Sequence, residues 1–425
     1  MKKNFLDIIK HPLILGSTFL FVGSLAASIL NYLFNLLLLR ALIVDDYGVF
    51  SSLVSLFNIF SVFSIAIMMV FSKLTASLVG KNKEHLVGSL IIAGNKWIGI
   101  IAVLIGIILT LFLRQIASFL NIQDYVLIYI IIGAIFFSFL SNVPLGILQE
   151  LLKFGYFSFV NISSSFVKLG LGIFFIFSGF KVIGAIGAFS LSVVSSYIFA
   201  LIPLISKIRT KSLDDKFTIM SLHGKAYSYA LPVILSNVGI ISLISVDIIL
   251  AKHYFNSVIA GQYAALSLMG RSIFYIVAPI SSVLFPLIAQ KKERKEKLIG
   301  TLLLSILLVG FPATILSIFY FLFPHIVLSV LSPGKAYLSL ASELGPFSVF
   351  ILFYSICYLL NSFYLSVGKI KAFYFTIGGT ILECILIVAF HDNISQIVND
   401  LIIASFVLLI SLLLYYRNVS SDINS

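Results

Sequence analysis

The sequence predicts an all-α polytopic membrane protein, with about twelve spanning helices arranged as two six-helix lobes. Three observations carry that reading. The 425 residues are 60% hydrophobic and only 10% charged, where a soluble domain carries about 25% charge. Mean hydropathy is +1.14. Apolar stretches of about 20 residues, enough to cross a bilayer, recur along the whole chain, and Lys and Arg alternate in number between the segments that join them.

Taken in order, the spans of the first half are expected near 13–39, 49–72, 87–113, 122–149, 155–179 and 182–206. Those of the second half are expected near 228–251, 258–289, 298–323, 344–366, 372–390 and 397–416. The basic start and apolar run of the N-terminus resemble a signal peptide, but the run continues to about Leu39. That is too long for a signal core, so the segment is expected to be the first span. The third stretch, from Leu86 to Leu113, exceeds what a bilayer needs and is expected to tilt or protrude.

With the N-terminus inside, twenty Lys and Arg fall in inside segments and five outside, namely Arg40, Arg114, Lys181, Lys252 and Lys335. Lys96, Lys168 and Arg271 lie within apolar stretches. The positive-inside rule then places both termini in the cytoplasm. The net charge of +12 follows this topology and suggests no nucleic-acid partner.

The longest polar stretch is cytoplasmic and falls at the midpoint. It divides the chain into a first lobe, 1–210, a linker, 211–227, and a second lobe, 228–425. Six is even, so both lobes enter the membrane in the same sense, as parallel repeats do. A faint internal echo supports the repeat. "YGVFSSL" at 47–53 aligns with "AGQYAAL" at 260–266, with Gly48/Gly261 and Leu53/Leu266 identical.

The polar residues inside the spans are patterned. Ser158, Asn161, Ser165 and Lys168 share one face of the fifth span. Lys168 lies about 13 residues in, roughly 20 Å at 1.5 Å per residue, near mid-membrane. An ammonium there costs roughly 2.5–3.5 kcal/mol on insertion scales. The first span carries Ser24, Ser28, Asn31 and Asn35 on one face, and the second carries Ser51, Ser55 and Asn58. Ser267 and Arg271 share a face of the eighth span, and Thr376, Thr380 and Glu383 a face of the eleventh. Asp247 sits near the outer end of the seventh.

Such Ser, Thr and Asn residues also serve as hydrogen bonds between helices, and Lys96 beside Trp97 reads as an interfacial anchor. Mid-membrane charges face a cavity or pair with one another. Glu383 pairing with a cation is as good an explanation as a place in the cavity. If the stripes converge, they line a water-filled cavity holding at least two fixed cations, Lys168 and Arg271. An anionic, hydrated substrate suits that cavity. Arg offers a fork to phosphate oxygens, Lys a point charge, and hydroxyl and amide groups suit sugars.

The sequence has no GxxxxGK[ST] phosphate loop, so it is not expected to hydrolyse ATP. It has no HExxH and no clustered metal ligands, so neither metal nor cofactor is expected. Cys357 and Cys384 lie in apolar segments and read as core residues.

"LLLLRALIVDDYGVFSSLVSLFNIFS" (36–61) and "VDIILAKHYFNSVIAGQYAALSLMGRSIFYIVAPISSVLFPLIAQ" (246–290) resemble the polysaccharide flippases of the multidrug/oligosaccharidyl-lipid/polysaccharide exporter superfamily. The resemblance rests on an Arg before a short loop and Tyr-Gly-x-Phe, an Asp in the seventh span, Gly-x-Tyr opening the eighth, and Phe-Pro closing it. It implies flipping of undecaprenyl-pyrophosphate-linked oligosaccharide, such as an O-antigen unit, from the cytoplasmic to the outer leaflet of the bacterial inner membrane. It implies alternating access of the two lobes, driven by the membrane potential or an ion gradient. It also implies membrane lipids, a polysaccharide polymerase and a chain-length regulator as partners. Carried onto this chain, it places Asn31, Asn35, Asn58, Asp247 and Arg271 on candidate cavity-lining positions. Adding the fifth-span stripe, the candidate substrate-binding set is Lys168, Arg271, Asn31, Asn35, Asn58 and Asn161, with Asp247 and Glu383 for coupling or gating.

Three alternatives stand beside this reading. A cation-coupled multidrug exporter of the same superfamily would favour an acidic cavity, against Lys168 and Arg271. A lipid II-type flippase usually has two more helices. A membrane-bound polymerase or glycosyltransferase usually shows a sizeable outer loop, and the outer loops here are short.

Overall fold

The structure is a computed structural model that describes residues 12–209, 223–293, 298–331 and 335–424. These residues are almost entirely helical, with no strand among them. The first half contributes α1 (Pro12–Ala41), α2 (Val44–Gly80), α3 (Val87–Leu111), α4 (Tyr125–Glu150), α5 (Phe154–Phe177) and α6 (Lys181–Leu201). The second contributes α7 (His223–Ser242), α8 (Val246–Tyr254), α9 (Ser257–Glu293), α10 (Ile299–Leu322), α11 (Ala341–Ser366), α12 (Phe373–Ala389) and α13 (Ile394–Asn424). Eleven helices are long and apolar enough to cross a membrane, or twelve if the bent pair α7 and α8 forms one span. Most of the expected linker, 211–222, lies outside the described residues, and 223–227 already belong to α7.

The halves share one packing plan. In the first, α2 packs on α4, α1 on α5, α5 on α6, α4 on α6 and α3 on α4. In the second, α9 packs on α11, α7 on α12, α12 on α13, α11 on α13 and α10 on α11. Each of these five contacts of one half has its counterpart in the other. The halves meet where α2 contacts α7, α8 and α9, and where α1 contacts α9. The peripheral helices α3 and α10 expose long apolar ridges, among them Leu104, Ile107 and Ile108 on one and Leu304, Leu307 and Phe311 on the other. Such surfaces are stable against lipid chains.

The helices α2 and α9 are the equivalents that hold the halves together. Each is 37 residues long, about 55 Å at 1.5 Å per residue, so both extend beyond the apolar stretches expected for them. Gly48 and Gly261 occupy the fifth position of each helix and lie against each other. A Cβ built on Gly48 would stand 3.0 Å from the Gly261 Cα, and one on Gly261 would strike the Val44 carbonyl. The sequence echo at these glycines therefore marks the place where the two repeats cross, and no larger residue fits there without parting them.

Two spans differ from expectation. The third ends at Leu111 and is followed by a short helix, Leu113–Phe119. The seventh is broken, with Val233–Ser242 and Val246–Tyr254 meeting at 44°. At the break the backbone tightens, as Ile244 N donates to Ile241 O at 3.3 Å and Ser245 N to Ser242 O at 2.9 Å. A broken helix is tolerated in lipid only where freed carbonyls find donors. Here Gly239 O, which keeps a long bond of 3.3 Å from Leu243 N, also accepts from the Thr380 hydroxyl of α12 at 2.6 Å. Asp247 thereby falls in the first turn of α8, where a negative charge meets the helix dipole favourably.

Candidate functional site

Two features of different character lie in the two halves. The first is a cavity of about 570 Å³. Its lining residues come from α1, α2, α4, α5 and α6, save Tyr275, Ala278 and Pro279 of α9. Asn31, Asn35, Asn58, Asn142 and Asn161 share the wall with eight serines and with Lys168, and no carboxylate is among the lining residues. All five first-half residues expected at a substrate cavity, Asn31, Asn35, Asn58, Asn161 and Lys168, line this one.

Small residues let α1 and α5 approach closely enough to build this wall. Gly23 lies against Ser158, and Gly172 receives the ring of Phe34. The Asn31 amide donates to Ala27 O at 2.8 Å and across to Ser165 Oγ at 3.1 Å. Ser165 donates in turn to Asn161 O at 2.9 Å. Asn35 donates to Asn31 O at 2.8 Å, and Asn142 to Ser138 O at 2.8 Å. The amide nitrogens thus rest on their own helices. Asn31 Oδ1 has no partner among the described residues.

Lys168 is the cation of this wall. Its Nζ stands 5.6 Å from the Phe34 ring centroid and 5.1 Å from that of Phe189. The aromatic faces offset part of the ammonium's desolvation, by about 0.5–2 kcal/mol each. No carboxylate forms an ion pair with it among the described residues. Its charge is therefore available to whatever enters the cavity.

The second feature is a compact charge cluster in the other half. Asp247 accepts from the Arg271 Nη2 at 3.0 Å and 2.8 Å, one contact to each carboxylate oxygen. It also accepts from the Tyr263 hydroxyl at 2.8 Å. Asp247 and Glu383 are 0% exposed and Arg271 is 9% exposed. Both Glu383 oxygens, Arg271 Nε, and the hydroxyls of Ser245 and Ser267 lack partners among the described residues.

This corrects the expectation of two cations facing one cavity. Arg271 is not among the lining residues, because its guanidinium turns to Asp247. Tyr275, one turn further along α9, reaches the cavity in its place. Glu383 makes an ion pair with neither Lys168 nor Arg271 within salt-bridge distance. The Thr376–Thr380 stripe is a packing surface, since α7 approaches there so closely that a Cβ on Gly239 would meet Thr376 C at 2.5 Å. Lys96 is exposed, as an interfacial anchor would be.

A third group of contacts was missed by sequence reasoning. It joins the halves at the end of the bundle that carries Arg40, opposite the end that carries Lys207. Lys252, 1% exposed, pairs with Asp45 at 3.5 Å. The Asn121 amide donates to Lys252 O at 3.2 Å. The His253 ring stacks on Phe119 at 4.0 Å, and its Nδ1 lies 2.9 Å from Phe119 O. Arg40 donates to Val330 O. With Gly48 against Gly261, these contacts close the Arg40 end, and the cavity lies on the Lys207 side of them. The Gly48/Gly261 echo was the one sequence signal of this closure.

Comparison with known proteins agrees with the architecture. The family described as polysaccharide biosynthesis protein matches residues 13–292. Among solved structures, an inward-facing multidrug resistance MATE transporter of the MOP superfamily superposes with a TM-score of 0.75 at 16% identity, covering 93% of this chain and 96% of that one. The lipid II flippase MurJ, in an inward closed conformation, gives 0.73 at 16% identity, covering 93% and 87%. A MOP superfamily transporter from Pyrococcus furiosus Vc1, whose binding pocket is described as of reverse polarity, gives 0.70 at 17% identity over 100% of both chains. No curated protein matches. At these identities the structures establish a shared fold. The family match spans well over half of the chain and shows that this chain belongs to the polysaccharide biosynthesis protein family.

Proposed function

We propose that the chain is a flippase for polyprenyl-pyrophosphate-linked oligosaccharide, the repeat unit of O-antigen or a similar surface polysaccharide. The substrate moves from the cytoplasmic to the outer leaflet of the inner membrane, and both termini are cytoplasmic. The observation that carries this reading is the cavity wall, with one unpaired ammonium at Lys168, five Asn, eight Ser and no carboxylate. A pyrophosphate supplies the charge Lys168 lacks, through charge-assisted hydrogen bonds. Sugar hydroxyls take the Asn and Ser groups. A cavity without carboxylates does not suit a cationic drug. MurJ, similar in fold, is a lipid II flippase, which supports a lipid-linked substrate here.

In this reading the first lobe, 1–210, and the second, 228–425, alternate about their α2–α9 crossing. The Asp45–Lys252 and His253–Phe119 contacts hold the outer side shut in the state seen. Asn31, Asn35, Asn58, Asn161 and Lys168 bind substrate. Asp247, Arg271 and Glu383 act in coupling and gating, and Arg271 bears on the substrate only through Tyr275. A polysaccharide polymerase and a chain-length regulator act on the delivered unit. The test is complementation of a strain lacking its own O-unit flippase, scored by surface polysaccharide at equal membrane abundance. Wild type restores the polysaccharide and Lys168→Ala does not. Full restoration by Lys168→Ala would overturn the cavity assignment.

A further inference from the structure

The buried cluster of the second half raises a charge problem that the flippase reading leaves open. Two carboxylates, Asp247 and Glu383, share one guanidinium, Arg271. Asp247 takes both guanidinium contacts and the Tyr263 hydroxyl. Glu383 takes nothing. Among the described residues, neither of its buried oxygens has a donor and the buried Arg271 Nε has no acceptor. An ionised carboxylate so placed would carry a desolvation penalty that no contact offsets, whereas a neutral carboxylic acid avoids it.

Among the described residues, the surrounding elements supply no other counter-charge. The helix α12 packs against α7, α8 and α13. Between Val233 and Ser242, α7 carries no ionisable residue. The group facing Glu383 from α8 is Asp247, and from α9 Arg271 and Tyr263. Near the same depth α13 carries another acid, Asp400, 5% exposed with Oδ2 unpaired. On its own helix the neighbour is Cys384.

We infer that Glu383 is the proton-carrying residue of the transport cycle, and that Arg271 is a tethered cation moving between Asp247 and Glu383 as that proton comes and goes. In the state described, Glu383 holds one proton and Arg271 sits on Asp247. Release of that proton leaves a carboxylate that draws the unsatisfied side of the guanidinium toward it, and uptake of a proton from the opposite side returns it. One proton is bound and one released per cycle, with no bond change elsewhere. Tyr275, one turn along α9 and within electrostatic reach of Arg271, connects the cluster to the cavity wall. Tyr275 lines the cavity, and its ring centroid lies 6.0 Å from that of Tyr32 on α1. Movement of Arg271 therefore acts on the α1–α9 contact between the halves. The coupled ion is the proton, since Arg271 already supplies Asp247 with its cation.

The inference deepens the transporter reading by naming its driving ion, and its test requires no substrate. The full chain in liposomes is examined by infrared difference spectroscopy between acid and alkaline buffer. A carbonyl band of a buried protonated carboxylic acid is expected, shifted in deuterium oxide, retained in Asp400→Asn and lost in Glu383→Gln. A band that persists in Glu383→Gln, or its loss in Asp400→Asn instead, would overturn the assignment. A second measurement on the unaltered protein compares melting in sodium chloride and choline chloride. Equal melting is expected, and stabilisation specific to sodium would overturn the choice of ion. Neither measurement depends on the lipid-linked sugar, so the flippase proposal stands or falls separately.

Discussion

In the first half, Lys168 stands at a cavity of about 570 Å³ with the rings of Phe34 and Phe189 beside it and no carboxylate in the wall. In the second half, Arg271 is held on Asp247 and the pair is buried among its helices. The two halves have equivalent helix contacts, so the scaffold does not account for the contrast. It comes from where each cation finds its partner. Lys168 has no acid on α1, α2, α4 or α6 at the cavity, and its charge is left for a ligand. Arg271 has an acid at the break of the seventh span, and its charge is used within the fold. One half is built to receive a substrate, and the other is built around an internal ion pair.

The largest expected effect breaks the second half. Asp247→Ala leaves a buried guanidinium unpaired and should cost about 3–5 kcal/mol, read as a lower melting temperature and reduced abundance. The double variant Asp247→Leu/Arg271→Leu removes both charges and should recover most of that loss in the same melting experiment. If the double variant melts as low as the single one, the pair is not what holds these helices together.

Lys168→Ala should act in the opposite manner. Melting should change by less than about 1 kcal/mol, since no partner is orphaned. Transport should fall about 10- to 100-fold, the equivalent of about 1.5–3 kcal/mol for a hydrogen bond to a charged group. A large loss of stability with normal transport would reverse the roles assigned to the two halves.

The crossing of the halves gives an intermediate effect. Gly261→Ala forces a methyl group against the Val44 carbonyl and should cost about 1–3 kcal/mol as overpacking. It should also open the Arg40 end, so that a cysteine placed at Asp45 becomes more reactive to an impermeant thiol reagent. The smallest effect belongs to Lys252→Met, which keeps the buried stem and removes the charge. The partner Asp45 is 47% exposed, and a pair screened in this way contributes about 0–1 kcal/mol, so melting should barely move.

The spans were legible because an apolar run of sufficient length states its own function in lipid. The cavity wall was legible on α1 and α5, where polar spacing and depth agree. The charge cluster was not. Counting residues gives depth, and Lys168 and Arg271 are both near mid-depth, but depth leaves open which neighbour a side chain turns toward. The break at 243–245 was also hidden, because "IISLISVDIIL" carries no Gly or Pro to mark it. The groups that permit it, Thr380 and Gly239, lie 141 residues apart. The closure at the Arg40 end depends on contacts of similar reach, between Asp45 and Lys252 and between Phe119 and His253.

The central claim is that Lys168 receives the anionic head of a lipid-linked sugar. Its most direct test is translocation of undecaprenyl-pyrophosphate-linked oligosaccharide in liposomes holding the full chain, followed by exposure of the sugar to an impermeant lectin. Wild type should expose the sugar, Lys168→Arg should retain a large part of that rate, and Lys168→Ala should lose it at equal incorporation. Translocation by Lys168→Ala at the wild-type rate would contradict the account.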